Sequence, residues 1–145
     1  MRAVIQRVKH ASVTVDGETV GSINQGLLVL LAIHQDDTED KIEKMARKLV
    51  QLRIFENEEG KMSRSVQDAG GSILLVSQFT LYGDCSEGNR PSFITSARPE
   101  KAIPFYEAVI EKIRTLGITL ETGRFGQMME VVLINDGPTT IILDI

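Results

Sequence analysis

VVLINDGPTTIILDI, residues 131 to 145, reads as strand, interruption, strand. Residues 128 to 134 and 139 to 144 are rich in β-branched and aliphatic side chains, which suit a pleated, half-buried surface. Between them stands NDGP, Asn135 to Pro138. Proline has no N–H for a ladder and glycine packs nothing, so a central strand avoids both. Taken by itself the tetrapeptide predicts a hairpin turn, with Asn and Asp supplying local hydrogen bonds and Gly-Pro the bend.

Working back from this segment, most of the chain keeps a β pattern. Residues 2 to 8 alternate, and in ASVTVDGETVGSI (11 to 23) the Asp16-Gly17 pair gives the two positive φ angles of a tight hairpin, which would set Val13 opposite Val20. GLLVLLAI (26 to 33) is too short to cross a membrane and suits a strand covered on both faces. Gly70-Gly71 lead into SILLVSQFTLYGD, an apolar strand with a polar end, and residues 118 to 123 read as one more strand.

Two helices interrupt this order. Ile42, Met45, Ala46, Leu49 and Val50 recur on a helical period, with acids ahead of them and Asp37 or Thr38 as the expected cap. Phe105, Val109 and Ile113 mark the second helix, which Gly117 ends. Pro99 suits a first turn, but Pro104 would remove an interior hydrogen bond, so the start is expected nearer residue 103. The fold expected is α+β: a single domain, residues 1 to 145, with a largely antiparallel sheet curled toward a barrel and two main helices.

Composition narrows the function. The chain of 145 residues can bury roughly 70% of its unfolded surface without staples. Its single cysteine, Cys85, excludes an internal disulfide and a Cys-rich zinc site, and fits a reducing compartment. The first residues carry Arg2, Arg7 and Lys9 and form neither a signal peptide nor a membrane span. A net charge of −4 argues against broad affinity for nucleic acid, leaving room for a local basic face. There is no phosphate-binding glycine loop. His10 and His34 have no acid or cysteine at ligand spacing, so both read as surface or edge histidines. SQFT, Ser77 to Thr80, stands out, because it puts two hydroxyls and an amide at the end of an apolar strand.

SQFT within GGSILLVSQFTL, NDGP near the C-terminus, RPSF (90 to 93) and TGRFG (122 to 126) together resemble the D-aminoacyl-tRNA deacylase, or D-tyrosyl-tRNA deacylase, family. The likeness runs in order from RAVIQRV through ASVTVDGE, GLLVLLAI and RIFENEEGKM to the last strand. It implies a cytoplasmic homodimer that hydrolyses the ester between a D-amino acid and the 3′ CCA end of tRNA, with no metal, no cofactor, and no membrane or DNA partner. It further implies that Gly137 and Pro138 form a cis peptide that projects from one subunit into the other's site. There their two carbonyls would hold the substrate's α-ammonium and leave no room for an L side chain.

Ser77, Gln78, Phe79 and Thr80 would line the scissile ester, with backbone N–H groups near Phe79 and Thr80 stabilising the oxyanion and the substrate's own 2′-OH assisting water. Phe125 and Met129 would wall the adenosine. Thr139 stands where the family commonly has valine. Phosphate contacts are expected from a few of Arg2, Arg7, Lys9, Arg53, Arg64, Arg90 and Arg124. Two alternatives stay open: a non-catalytic dimeric module that binds an RNA end, and a different ester hydrolase with Thr80 as nucleophile.

Overall fold

The computed structural model describes residues 1 to 145 and is organised around one long strand, β1 (Arg2–Val15). β1 turns at Asp16-Gly17, both at positive φ, into β2 (Glu18–Ile23), and beyond Asn24-Gln25 the return course continues as β3 (Gly26–Ala32). β2 and β3 are thus two halves of one antiparallel return along β1, with Val15 against Glu18 and Arg2 against Ala32. The hairpin register differs from expectation. Val13 pairs with Gly21 and Thr14 with Thr19, so Val20 is the extra residue of a bulge and has no direct partner.

β6 (Ser72–Ser77) runs parallel to β3, and β7 (Leu120–Thr122) parallel to β6, while β8 (Glu130–Asp144) lies antiparallel along the other edge of β1. The sheet is antiparallel around β1 and parallel beyond β3. It curls until β2 meets β7: a Cβ on Gly21 would lie 2.6 Å from the Thr122 carbonyl oxygen, an approach only glycine allows. α1 (Asp40–Gln51) and α2 (Pro99–Thr115) pack together against one face, and a small ribbon of β4 (Phe55–Glu56) and β5 (Met62–Arg64) stands apart.

Alternation along the apolar strands fills two cores. Leu27, Val29 and Leu31 join Leu49 and Ile113 on the helix side, whereas Leu28 joins Leu74, Val76, Val8 and Val13 inside the curl. GLLVLLAI is indeed covered on both faces. Neither helix is long and apolar enough to cross a membrane.

Three further local expectations need correction. Asp37 does not cap α1, which begins at Asp40 without a side-chain cap; its carboxylate instead takes hydrogen bonds from the Met1 ammonium (2.7 Å), Lys41 Nζ (2.9 Å) and the His34 N–H (2.7 Å). α2 starts at Pro99 and not near 103, with Pro104 inside it. Both prolines are exposed, so water can serve the carbonyl that Pro104 leaves without a donor.

The third concerns the C-terminal segment. No hairpin forms at NDGP; β8 runs through it as one strand. Gln6 pairs with Thr140 and Val8 with Asn135, two steps on β1 against five on β8, so residues 136 to 139 bulge from the ladder. The Gly137-Pro138 peptide is cis. Before the bulge Val131 and Leu133 pack on the inner core; beyond it Ile141 and Leu143 pack on the helix-side core. β1 makes the same exchange between Ile5 and Val8. A change of register flips side chains from one face to the other, and here that flip moves both strands between cores at one point.

Candidate active site

At the end of β6 the apolar run from Ile73 to Val76 is fully buried, and the next residues emerge. Ser77 still pairs with Leu31, and the Gln78 N–H donates to the Leu31 carbonyl at 2.8 Å. The chain then closes into a 3₁₀ turn, Phe79–Tyr82, in which Leu81 N–H donates to the Gln78 carbonyl (3.2 Å). The N–H groups of Phe79 and Thr80 open that turn and have no carbonyl within it to bond. Phe79 is 57% exposed and meets Phe93 edge to face at 5.2 Å between ring centres. The Thr80 hydroxyl is exposed and accepts a hydrogen bond from Gln78 Nε2; no acid or imidazole bonds it.

Arg2 pins this turn. Its Nη1 donates to the Leu81 carbonyl at 3.2 Å, its Nε to Asp144 Oδ1 at 2.8 Å, and the guanidinium lies 5.3 Å from the centre of the Tyr82 ring. His34 meets that ring edge-on at 5.1 Å. Burial, reinforced by the Asp37 charge, pushes the Tyr82 phenol up to about 12, so it stays neutral and supplies no base.

The second motif is built differently. Gly137 and Pro138 are exposed, while the chain beneath them is clamped. Asn135 Nδ2 donates to the Arg7 carbonyl and to the Thr139 carbonyl, both at 3.0 Å, tying the two ends of the bulge together. Arg7 is 6% exposed; its Nη1 donates to the Ile54 carbonyl at 2.6 Å, and its Nε lies 3.2 Å from Asp136 Oδ2 at an angle too bent for a hydrogen bond. Gly137 sits at φ +125°, and a Cβ there would stand 2.5 Å from Thr139 Oγ1, 2.8 Å from Thr139 N and 3.2 Å from Arg7 Nη2. Only glycine fits.

Comparison with known proteins places the whole chain. A family model for D-Tyr-tRNA(Tyr) deacylase matches residues 4–144. The chain belongs to the D-Tyr-tRNA(Tyr) deacylase family. Relatives called D-aminoacyl-tRNA deacylase include one from Brevibacillus brevis, 58% identical over 144 residues covering 99% of both chains, and one from Thermus aquaticus, 56% identical over 99% of this chain and 95% of that one. The solved "c-Myc DNA Unwinding Element Binding Protein" superposes with a TM-score of 0.93 at 44% identity, over 99% of this chain and 98% of that one. A probable eukaryotic D-amino acid tRNA deacylase shares the fold, with a TM-score of 0.86 at 18% identity over the same shares.

In this member of the D-Tyr-tRNA(Tyr) deacylase family the two motifs do not meet within one chain. Ser77 is level with Ala3 across β3, and the bulge lies beside Arg7. Four residues along β1 and three strand spacings across the sheet put them roughly 20 Å apart. Phe125 packs on the helix-side core, 5.8 Å from the Tyr106 ring, and Met129 on the inner core with its sulfur over Gly123, so the structure does not bring these two together. Thr139 is buried, with its hydroxyl toward Gly137.

Arg7 is one of seven cations from which the sequence lets a few contact phosphate, and the structure removes it from that set: it is the buried support of the bulge. Its signal in the sequence was slight, a charge within the alternating RAVIQRV. Asn135 reads as a turn residue, and its bonds do span the bulge, one within β8 to Thr139 and one across to Arg7 on β1, with no hairpin.

Proposed function

We infer that this chain hydrolyses the ester of D-aminoacyl-tRNA, releasing free tRNA and the D-amino acid. Water adds to the ester carbonyl at the end of β6, and the developing oxyanion accepts hydrogen bonds from the N–H groups of Phe79 and Thr80. The C–O bond to the 3′-oxygen then breaks, and that oxygen takes up the proton water gives away, relayed by the neighbouring 2′-OH of the terminal ribose. Ser77 and Gln78 shape the floor. Thr80 positions without attacking, in keeping with a hydroxyl that has only an amide for company.

Chirality is selected by Gly137 and Pro138 of a second copy. Their carbonyls hold the α-ammonium, so a D side chain points to open space and an L side chain meets main chain. Selection is by exclusion. One observation carries this reading: the exposed Gly137-Pro138 segment has no side chain to react, yet the buried Arg7 and the half-buried Asn135 hold it from beneath. The separation of the motifs supports a homodimer, which would cover the free edge of β8, where Val132, Ile134 and Ile142 are each more than half exposed. Such an enzyme works in the cytoplasm, where tRNA is charged, and the step as written needs no metal or cofactor.

The test is amino-acid release from matched D-tyrosyl-, glycyl- and L-alanyl-tRNA. The D-ester should be cleaved fastest, the glycyl ester measurably, because it has no side chain to exclude, and the L-ester barely. Comparable rates for glycyl and L-alanyl esters would contradict selection by shape.

A further inference from the structure

Two clefts open side by side, separated by the segment from Arg64 to Ala69. One, of about 610 Å³, has Gly137 in its wall beside Lys9 and Arg64, with the carboxylates Glu56 and Asp136 opposite the buried Arg7. The other, of about 770 Å³, is bounded by the outer face of α1 and the residues after it, and presents Lys44, Arg47, Lys48 and Arg53 against one carboxylate, Asp68. In a chain of net charge −4 this is an unusual gathering. Lys9, Lys44, Lys48, Arg53 and Arg64 have no carboxylate within 4.0 Å, and of the five only Arg64 finds a carbonyl, that of Asp68, although most exposed cations elsewhere are paired.

Local helix physics explains only part of this. Lys48 lies in the last turn of α1, where the helix dipole favours a cation. Lys44 and Lys48 stand four residues apart on one face and repel each other, and Arg53 and Arg64 lie outside the helix altogether. Leu52 is the only apolar residue lining the larger cleft, so it does not suit a small apolar ligand. Unpaired cations spread along an open, polar surface match a chain of phosphates.

We propose that these two clefts form one phosphate track for the acceptor arm of tRNA, running from Gly137 across Lys9 and Arg64 to Arg53, Lys48 and Lys44. The proposal rests on the deacylase reading, which puts the aminoacyl end beside Gly137; the strand leaving that point has its next phosphates over the track. Binding there is electrostatic and blind to base sequence. It also reconciles an acidic protein with an RNA substrate, because the positive charge is concentrated where the backbone runs.

The experiment compares kcat and KM for D-tyrosyl-tRNA and for D-tyrosyl-adenosine, together with affinity for uncharged tRNA, across a series of KCl concentrations. The triple variant Lys44→Ala/Lys48→Ala/Arg53→Ala should raise KM for the tRNA ester at least tenfold and lower the salt slope of binding by about 2–3, while cleaving the adenosine ester at the wild-type rate. Lys44→Arg/Lys48→Arg/Arg53→Lys should restore KM, and the control Lys61→Ala/Arg98→Ala/Arg114→Ala should change it less than threefold. Unaltered KM and salt slope in the first triple would overturn the track. So would a loss of duplex-DNA binding with tRNA unaffected, since the cations would then serve another polymer. Failure of the wild type to cleave any D-aminoacyl ester would instead count against the deacylase reading, and tRNA affinity would still judge the track.

Discussion

Ser77–Thr80 and Asn135–Pro138 both interrupt an apolar strand with polar or unpackable residues, and they are held in opposite ways. At the end of β6 the strand simply stops being covered. Its side chains reach solvent, and the support comes from outside, through Arg2 and the Tyr82 ring. In β8 the strand continues past the interruption, and the support comes from below, through Arg7, Asn135 and Thr139. A motif that offers N–H groups needs an open turn, whereas a motif that excludes by shape needs a rigid one. On the mechanism proposed above neither region depends on a reactive side chain, and the second should be far less tolerant of change.

The sharpest way to break that contrast is Gly137→Ala. A methyl at φ +125° collides with Thr139 and Arg7, so deacylation of D-tyrosyl-tRNA should fall by about 100-fold or more with the fold retained. Amino-acid release and a thermal melt check the two parts; activity within threefold of wild type would remove the rigid bulge from the mechanism.

Arg7→Met comes next. It leaves the Ile54 carbonyl and Asp136 without their buried partner and should cost about 3 kcal/mol by urea unfolding. Well below its melting temperature the variant should lose preference for D- over L-esters, because the bulge is no longer held.

On the other side of the comparison, Asp37→Asn tests the region behind the 3₁₀ turn. Burial would raise the Asp37 carboxyl, but hydrogen bonds from the Met1 ammonium, Lys41 and the His34 N–H outweigh it and hold the group below its ordinary value. A carboxylate with a depressed folded pKa stabilises above its unfolded pKa, and that stability is lost as pH falls through the folded value. The variant should therefore be less stable at pH 7 and show a shallower loss of stability below about pH 4 than the wild type. Equal acid limbs in the two melting profiles would contradict the assignment.

Thr80→Ala should have the smallest effect, a loss of less than about tenfold in kcat, since the turn offers its backbone and not its hydroxyl. A fall near 10⁴-fold would revive the threonine as a nucleophile or acid–base group and erase the contrast between the two motifs.

Much of this was legible because local pattern and tertiary demand agree. GLLVLLAI is apolar at every position after its glycine, and such a run needs cover on both faces. Met45, Leu49, Val109 and Ile113 recur at helical spacing because each has one face to bury. SQFT stood out as polar groups where an apolar strand ends. Misreadings came where a local signal was strong and a distant partner overruled it. Pro104 reads as a helix breaker, but it costs little on a face open to water. Asp37 reads as a cap, but the Met1 ammonium and Lys41 claim its carboxylate.

By itself, the order of residues determined the two helices, the doubly covered strand, the single glycine that tolerates φ +125°, and the family to which the whole pattern belongs. Only the tertiary structure decided that β8 runs unbroken past NDGP, that Arg7 lies buried beneath it, and that cations without a carboxylate partner from α1, the 53–56 segment and the 64–69 turn share one surface. Backbone preference acts over a few neighbouring residues, so it is written locally. Strand pairing, burial of a charge and the field of a cationic surface depend on residues far apart in the chain, and they exist only once the fold has brought those residues together.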